Sequence, residues 1–195
     1  MRVAGVDEAG RGPLAGPVVA CAVILPRDRL IRGLRDSKTI TPQAREKLFV
    51  EILTHGEVGL GLASEKTIDA INILQATRLA MRHAVEGLRE KPEALLVDGR
   101  MRLDVPDWNG PYVDIIDGDA LSASVAAASI VAKVVRDQIM LAYHALEPRF
   151  AFDAHKGYGT EEHLDRLREF GPSVFHRKTF RPIRRDVLPN GTNAG

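Results

Sequence analysis

Four carboxylates stand where an α/β sheet would gather them. Asp7 and Glu8 close a short apolar run that begins at Arg2. Asp98 closes Leu95-Leu96-Val97. Asp119 follows Ile115-Ile116 and opens a long alanine-rich segment. In open α/β sheets, sites form outside the carboxyl ends of the strands. Strands lying side by side would therefore bring these acids to one spot. Clustered carboxylates raise one another's pKa unless a cation neutralises them. An all-oxygen set suits Mg²⁺ or Mn²⁺ rather than zinc. Two such ions about 3.5–4 Å apart can activate water and stabilise the leaving oxygen in phosphoryl transfer. Each acid taken singly reads better as an ordinary cap or surface charge; for the set together, spacing alone leaves both readings open.

Asp7 and Glu8 carry a geometric requirement. Neighbours in a strand point to opposite faces, so both reach one site only if the strand ends there. Gly10 and Gly12 predict that it does. The same glycines flank Arg11 in a turn that runs to Pro17. A backbone without Cβ atoms lets a ligand approach closely, and its amides and carbonyls can bond a sugar hydroxyl or a phosphate. The pattern matches neither the dinucleotide fingerprint nor the P-loop, and a tight structural turn is the competing reading. Asp114-Ile115-Ile116-Asp117-Gly118-Asp119 is not a calcium loop, whose acids alternate before the glycine. Asp117 either supports the site or sits in a turn.

The elements that must position these groups follow from patterning. Residues 2–7 read as a strand. Residues 18–25 are β-branched and nearly continuous, as a buried strand should be. Residues 58–63, 95–98 and 112–116 supply three more. Thr41-Pro42 is a helix start; Ala44, Leu48 and Ile52 share a face, and Gly56 ends it. Ile73, Ala76, Ala80, Ala84 and Leu88 mark a second helix. Residues 120–146 form a long third. Thr160-Glu161-Glu162 opens a short helix that Gly171 closes. The order predicts an α/β sheet with a helical C-terminal part.

At 195 residues the chain suits one domain with a core of its own. The lone cysteine, Cys21, sits in an apolar run and reads as a core residue. With no internal disulfide and no signal peptide or membrane-length apolar segment, a cytoplasmic protein is expected. The net charge of +1 does not announce a nucleic-acid binder. The stretch from Gly171 to Arg185 does more: it holds Arg177, Lys178, Arg181, Arg184 and Arg185 and no acid. It reads either as a phosphate-tracking segment or as a solvated surface.

The run Val6-Asp7-Glu8-Ala9-Gly10-Arg11-Gly12-Pro13-Leu14-Ala15-Gly16-Pro17-Val18 resembles the signature of type 2 ribonucleases H, bacterial ribonuclease HII in particular. Further matches follow in the same order: Asp36-Ser37-Lys38, Asn72-Ile73-Leu74-Gln75-Ala76, Val97-Asp98-Gly99, the run from Ala127 to Asp137, His155-Lys156-Gly157-Tyr158-Gly159-Thr160 and His176-Arg177-Lys178-Thr179-Phe180. Together they span about Val3 to Arg185. The resemblance implies a ribonuclease H fold, a mixed five-stranded sheet flanked by helices. It implies cleavage of the RNA strand of RNA–DNA hybrids, and cutting at single ribonucleotides in duplex DNA, leaving 3′-hydroxyl and 5′-phosphate ends. By position, Asp7, Glu8, Asp98 and Asp119 match the metal-binding acids, with Mn²⁺ or Mg²⁺ as cofactor. Gly10, Arg11 and Gly12 match the loop that senses the 2′-hydroxyl. Tyr158 matches a tyrosine that stacks on the neighbouring sugar. Ser37, Lys38 and Lys156 are expected at the substrate backbone.

These roles agree with elementary chemistry, since the 2′-hydroxyl is what distinguishes RNA from DNA at a given site. The expected division is a catalytic domain over residues 1–188, whose residues 140–188 form a helical, basic substrate-binding part, followed by a flexible tail over 189–195. A monomer is expected. Where many relatives carry Lys-Gly-Asp-Ser, this chain has Asp117-Gly118-Asp119-Ala120, which places an extra acid near the site. The six histidines, His55, His83, His144, His155, His163 and His176, show no metal-ligand spacing; most are expected at the surface, with His155 and His176 near DNA. A non-catalytic hybrid-binding module is the alternative, and the presence of all four acids argues against it. A haloacid-dehalogenase-type Asp-x-Asp-x-Thr run is absent after the first strand.

Overall fold

The computed structural model describes residues 1–34, 37, 39–106 and 108–183. Lys38, Arg184, Arg185 and the expected tail lie outside the described residues. Five strands form one sheet: β1 (Val3–Ala9), β2 (Val18–Ile24), β3 (Glu57–Ala63), β4 (Ala94–Asp98) and β5 (Tyr112–Ile115). Their spatial order is β3-β2-β1-β4-β5. β1, β2 and β3 pair antiparallel, while β4 runs parallel to β1 and β5 parallel to β4. The sheet is thus mixed and five-stranded, as the resemblance implies.

Every residue of β2 is buried, because helices cover both faces. Cys21 and Val23 pack on the side of α1 (Pro42–His55) and of α4 (Ala123–Leu146). Ala20 and Ala22 pack on the side of α2 (Glu65–Glu86). The alanine-rich α4 lies close against the sheet centre. A Cβ at Gly5 would stand 2.2 Å from the backbone of Ser124 and Val125, so β1 needs glycine there for α4 to seat.

Local signals explain the helix ends. Thr41 Oγ1 accepts from the Ala44 amide at 3.2 Å, Pro42 occupies the first turn, and Gly56 terminates α1. α2 starts eight residues earlier than the periodicity from Ile73 predicts, after the Ser64 cap. The two descriptions meet at Asn72, which breaks the helix at φ 66° and ψ 164°. Its side chain accepts from the Gln75 amide at 3.1 Å and so acts as an internal cap. The long run from 120 is likewise broken at Ser122, which separates a single turn, α3 (Gly118–Leu121), from α4. Then come α5 (Phe152–His155) and α6 (Glu161–Phe170), capped by Thr160 and closed by Gly171 at φ 67°.

The C-terminal elements build a cluster on Phe150, Phe152, Met140 and Leu167, and they correct the expectation of surface histidines. His155, His163 and His176 are all buried. Their partners dictate the tautomers. His163 Nδ1 donates to the Tyr158 carbonyl at 2.8 Å, so its Nε2 accepts from His176 Nε2 at 2.9 Å. His176 Nδ1 then accepts from the Ser173 amide at 3.0 Å. His155 Nε2 donates to the Phe150 carbonyl at 2.8 Å, and its Nδ1 accepts from the Gly157 amide at 3.1 Å. Each ring is neutral with both nitrogens used, so His155 and His176 anchor the Tyr158 turn and do not face DNA.

Burial, chiefly, pushes His163 down to about 4 and His176 down to about 3. Both lie below the ordinary 6.5 of the unfolded chain. The unfolded state therefore takes up protons first as pH falls. The contribution of these two histidines to stability is expected to be full above about pH 6.5 and to drop as pH falls from there towards about 4 and then about 3. Urea midpoints of the wild type and of His176→Gln, measured from about pH 7.5 down to about pH 4, check this: the gap between the two is expected to narrow as pH falls, and a constant gap contradicts it.

Candidate active site

The site arises where the sheet comes apart. β1 and β4 pair from Val3↔Ala94 to Val6↔Val97. β1 and β2 remain paired through Asp7↔Cys21, Glu8↔Ala20 and Ala9↔Val19. From Asp7 onward, β1 therefore has a neighbour on the β2 side only. The strand does not end at Asp7 and Glu8, as their sharing of a site predicts; it runs on to Ala9, and the opening beside β4 supplies the room instead.

A cavity of about 320 Å³ occupies this opening. Asp7, Glu8, Asp98 and Asp119 all line it. So do Gly10, Arg11 and Gly12 from the loop after β1, together with Ser37 and Tyr158. Lys133 and Ser129 of α4 complete the wall. Lys156 and Asp117 lie outside this lining. Lys156 has its Nζ bonded to the Asp153 carbonyl, and Asp117 is exposed in a left-handed conformation at φ 54°.

Asp7 is the deepest of the acids, 5% exposed. Its Oδ1 accepts from the Glu8 amide at 2.7 Å, and the nearby Ser129 hydroxyl favours its charged form. Ser129 is held in turn by Ser37, Oγ to Oγ at 2.9 Å. Ser37 thus reaches the cavity as a buried prop for Ser129. Burial raises Asp7 well above the carboxylate range, and the charges of Glu8 and Asp98 add to it. Burial also raises Glu8; Arg11 opposes this, with its Nη1 3.4 Å from Glu8 Oε1. Asp98 Oδ1 accepts from the Gly118 amide at 2.7 Å. That bond ties the end of β4 to the first turn of α3, which carries Asp119.

Among the described residues, no three metal-capable side chains close into a ready coordination shell. The donor set nonetheless fits a hard divalent cation. It is all carboxylate oxygen, two members are buried against their charge, and Glu8 Oε2 is buried without a hydrogen-bond partner.

Tyr158 stands at the rim, 45% exposed. Its ring faces Gly12, whose added Cβ would lie 3.9 Å from Tyr158 Cε1. The Arg136 guanidinium lies 5.9 Å from its centroid. An exposed aromatic beside a glycine and above a cation is a surface on which a sugar or base can stack.

A mixed sheet that opens at its centre onto a wall of carboxylates is the ribonuclease H-like arrangement of a metal-dependent nuclease. Comparison narrows the class. The ribonuclease HII family model matches residues 4–182. Ribonuclease HII of Chlamydia trachomatis serovar A is 52% identical over 188 residues, covering 95% of this chain and 85% of that protein. Ribonuclease HII of Lactobacillus johnsonii is 54% identical over 182 residues, covering 93% and 71%. The crystal structure of ribonuclease H2 from Pyrococcus horikoshii OT3 aligns with a TM-score of 0.80 at 28% identity, over 94% of this chain and 96% of that one. The chain belongs to the ribonuclease HII family. It is a type 2 ribonuclease H, a divalent-metal-dependent endonuclease acting on RNA–DNA hybrids.

Sequence reasoning passed over part of the site. Ser129, Lys133 and Arg136 form one stripe along α4, spaced by four and three residues, and that helical period was the available signal. Lys133 brings a cation to the cavity, ion-paired with Asp137 at 2.8 Å. Arg177, expected on a solvated or phosphate-tracking surface, is instead fully buried behind the glycine loop.

Ser129→Ala removes the hydroxyl that favours charged Asp7 and leaves the buried Ser37 hydroxyl without that partner, each effect on the order of 1–3 kcal/mol. Hybrid cleavage is expected to fall about tenfold or more, with a modest drop in melting temperature from the Ser37 hydroxyl left unpaired. Initial rates beside a thermal melt check it; full activity in the alanine variant would mean that Asp7 works without this hydroxyl.

Proposed function

We infer that this enzyme cuts long RNA–DNA hybrids and also duplex DNA carrying a single ribonucleotide, at the phosphodiester 5′ of that ribonucleotide. The products would be a 3′-hydroxyl and a 5′-phosphate, and the role would be removal of misincorporated ribonucleotides. One observation carries the reading: the glycine loop and all four acids line the same cavity, so sugar recognition and hydrolysis share one centre.

Asp7, Glu8, Asp98 and Asp119 would hold two divalent ions, Mg²⁺ or Mn²⁺. When bound, these supply an activated water and stabilise the leaving oxygen. A wall of four carboxylates alone would repel a phosphate, and the cations of Arg11 and Lys133 on the same lining temper it. The backbone of Gly10, Arg11 and Gly12 would bond the 2′-hydroxyl, which makes recognition independent of base sequence. Tyr158 would stack on the next sugar and mark the RNA-to-DNA junction. Ser37, Lys38 and Lys156, with the basic segment around Lys178, would follow the phosphate backbone. The catalytic unit would span residues 1–188 and act as a cytoplasmic monomer. Among the described residues, no helix is long and apolar enough to cross a membrane.

The test is an end-labelled duplex with one ribonucleotide, incubated with Mg²⁺, Mn²⁺ or EDTA beside an all-DNA control. Metal-dependent cutting on the 5′ side of the ribonucleotide alone is expected. Tight binding without cutting would favour a binding module, and cutting of the control would sink the loop's role in sensing sugar. In the same assay, Asp119→Asn is expected to abolish cleavage, while Asp117→Asn keeps most of it. A dead Asp117→Asn with an active Asp119→Asn would reverse the assignment of the fourth acid.

A further inference from the structure

The carbonyls of the glycine loop are held from behind by two arginines. Arg177 donates four bonds: Nη2 to Gly10 O at 2.6 Å and to Gly16 O at 2.7 Å, Nη1 to Arg11 O at 2.9 Å, and Nε to Gly16 O at 2.9 Å. Arg136 donates three more: Nε to Pro17 O at 3.1 Å, Nη2 to Ala15 O at 3.0 Å, and Nη1 to Lys156 O at 3.0 Å. The two side chains are 0% and 1% exposed. Glu65, buried at the start of α2, is an acid whose field reaches both. Burying two like charges side by side is unfavourable by itself, so their retention points to what they hold.

Peptide geometry says what that is. A trans peptide unit is planar, with its C=O and N–H pointing in opposite directions. Arg177 draws the carbonyls of Gly10 and Arg11 inward, so the amides of Arg11 and Gly12 turn outward, towards the cavity that residues 10–12 line. Gly10 makes the packing possible. Its φ is +96°, and a Cβ there would lie 2.0 Å from Arg136 Nε. The same frame reaches the stacking residue, because Arg136 holds the carbonyl of Lys156 and lies beneath the Tyr158 ring. The Leu14 amide, in turn, donates to the Gly157 carbonyl at 2.8 Å.

Resting on the reading that this loop senses the ribose 2′-hydroxyl, we propose that Arg177, assisted by Arg136, is a positioning residue for sugar discrimination. It presents the Arg11 and Gly12 amides to the sugar and itself never touches substrate. A lysine at 177 keeps the charge. Its single nitrogen cannot span the carbonyls of Gly10, Arg11 and Gly16 as the planar fork does.

The experiment is competition binding in EDTA, where no cutting occurs. Wild type, Arg177→Lys and Arg136→Lys are each titrated with a duplex bearing one ribonucleotide and with the same duplex all in DNA. Thermal melts show which variants fold. For Arg177→Lys, the preference for the ribonucleotide duplex is expected to drop about tenfold, the worth of one lost hydrogen bond, with all-DNA affinity within about twofold of wild type. A role in stability alone would lower both affinities together or neither, and either pattern overturns the proposal. Should Arg177→Lys not fold, Arg136→Lys carries the same test with a smaller expected loss, and an unchanged preference in that variant overturns the proposal. A wild-type protein without preference is a different failure: it removes the sugar-sensing reading on which the proposal rests.

Discussion

A loop with no strand or helix partner must still satisfy its carbonyls, and in this protein two buried guanidiniums do so. The chain between β1 and β2 turns back within eight residues, and its carbonyls face the interior. Unpaired buried carbonyls are costly. Arg136 from the long helix and Arg177 from the C-terminal segment converge on them, so sequence-distant elements meet at one turn. Much of the remaining structure supports that meeting. The alanine and glycine surfaces let α4 lie close enough to the sheet for Arg136 to reach, and the neutral histidine chain ties residues 173–176 to the Tyr158 turn.

The carboxylates obey the opposite logic. Ordinary folding pressure would keep Asp7 out of the core, yet it is nearly inaccessible and sits beside two like charges. Such a site stores unfavourable electrostatics that a divalent cation relieves. The sheet makes this geometrically possible by ending the β1–β4 ladder at Val6 while continuing the β1–β2 ladder to Ala9. Two consecutive acids of one strand thereby line a single cavity.

Much of this was legible in the sequence. The five strands follow from apolar runs, and α1 from a cap, a proline and a terminal glycine, because these signals are local. The four acids were legible as strand-end residues, and the cavity collects them. What local reading misplaced depends on tertiary contacts. Arg177 and the three histidines are polar, and composition puts polar residues outside. They are buried because partners far along the chain satisfy them, such as Gly10 O for Arg177 and the Ser173 amide for His176. The early start of α2 was hidden for a related reason. Residues 65–71 lack a strong apolar stripe, and the Ser64 cap and contact with the sheet suffice to wind them.

Sugar recognition without base recognition demands stiffness. A hydroxyl read by backbone amides offers little binding energy, about one hydrogen bond's worth, so selectivity survives only if the amides cannot follow a substrate that lacks it. Flexible side chains would adapt, and a free glycine turn would adapt still more readily. Glycines at 10, 12 and 16 grant close approach but take rigidity away. The buried arginines restore it at the carbonyl side, where they cannot interfere with substrate. A loop that is permissive in sequence and constrained from beneath resolves both demands, and this explains why the constraint is carried by residues as distant as 136 and 177.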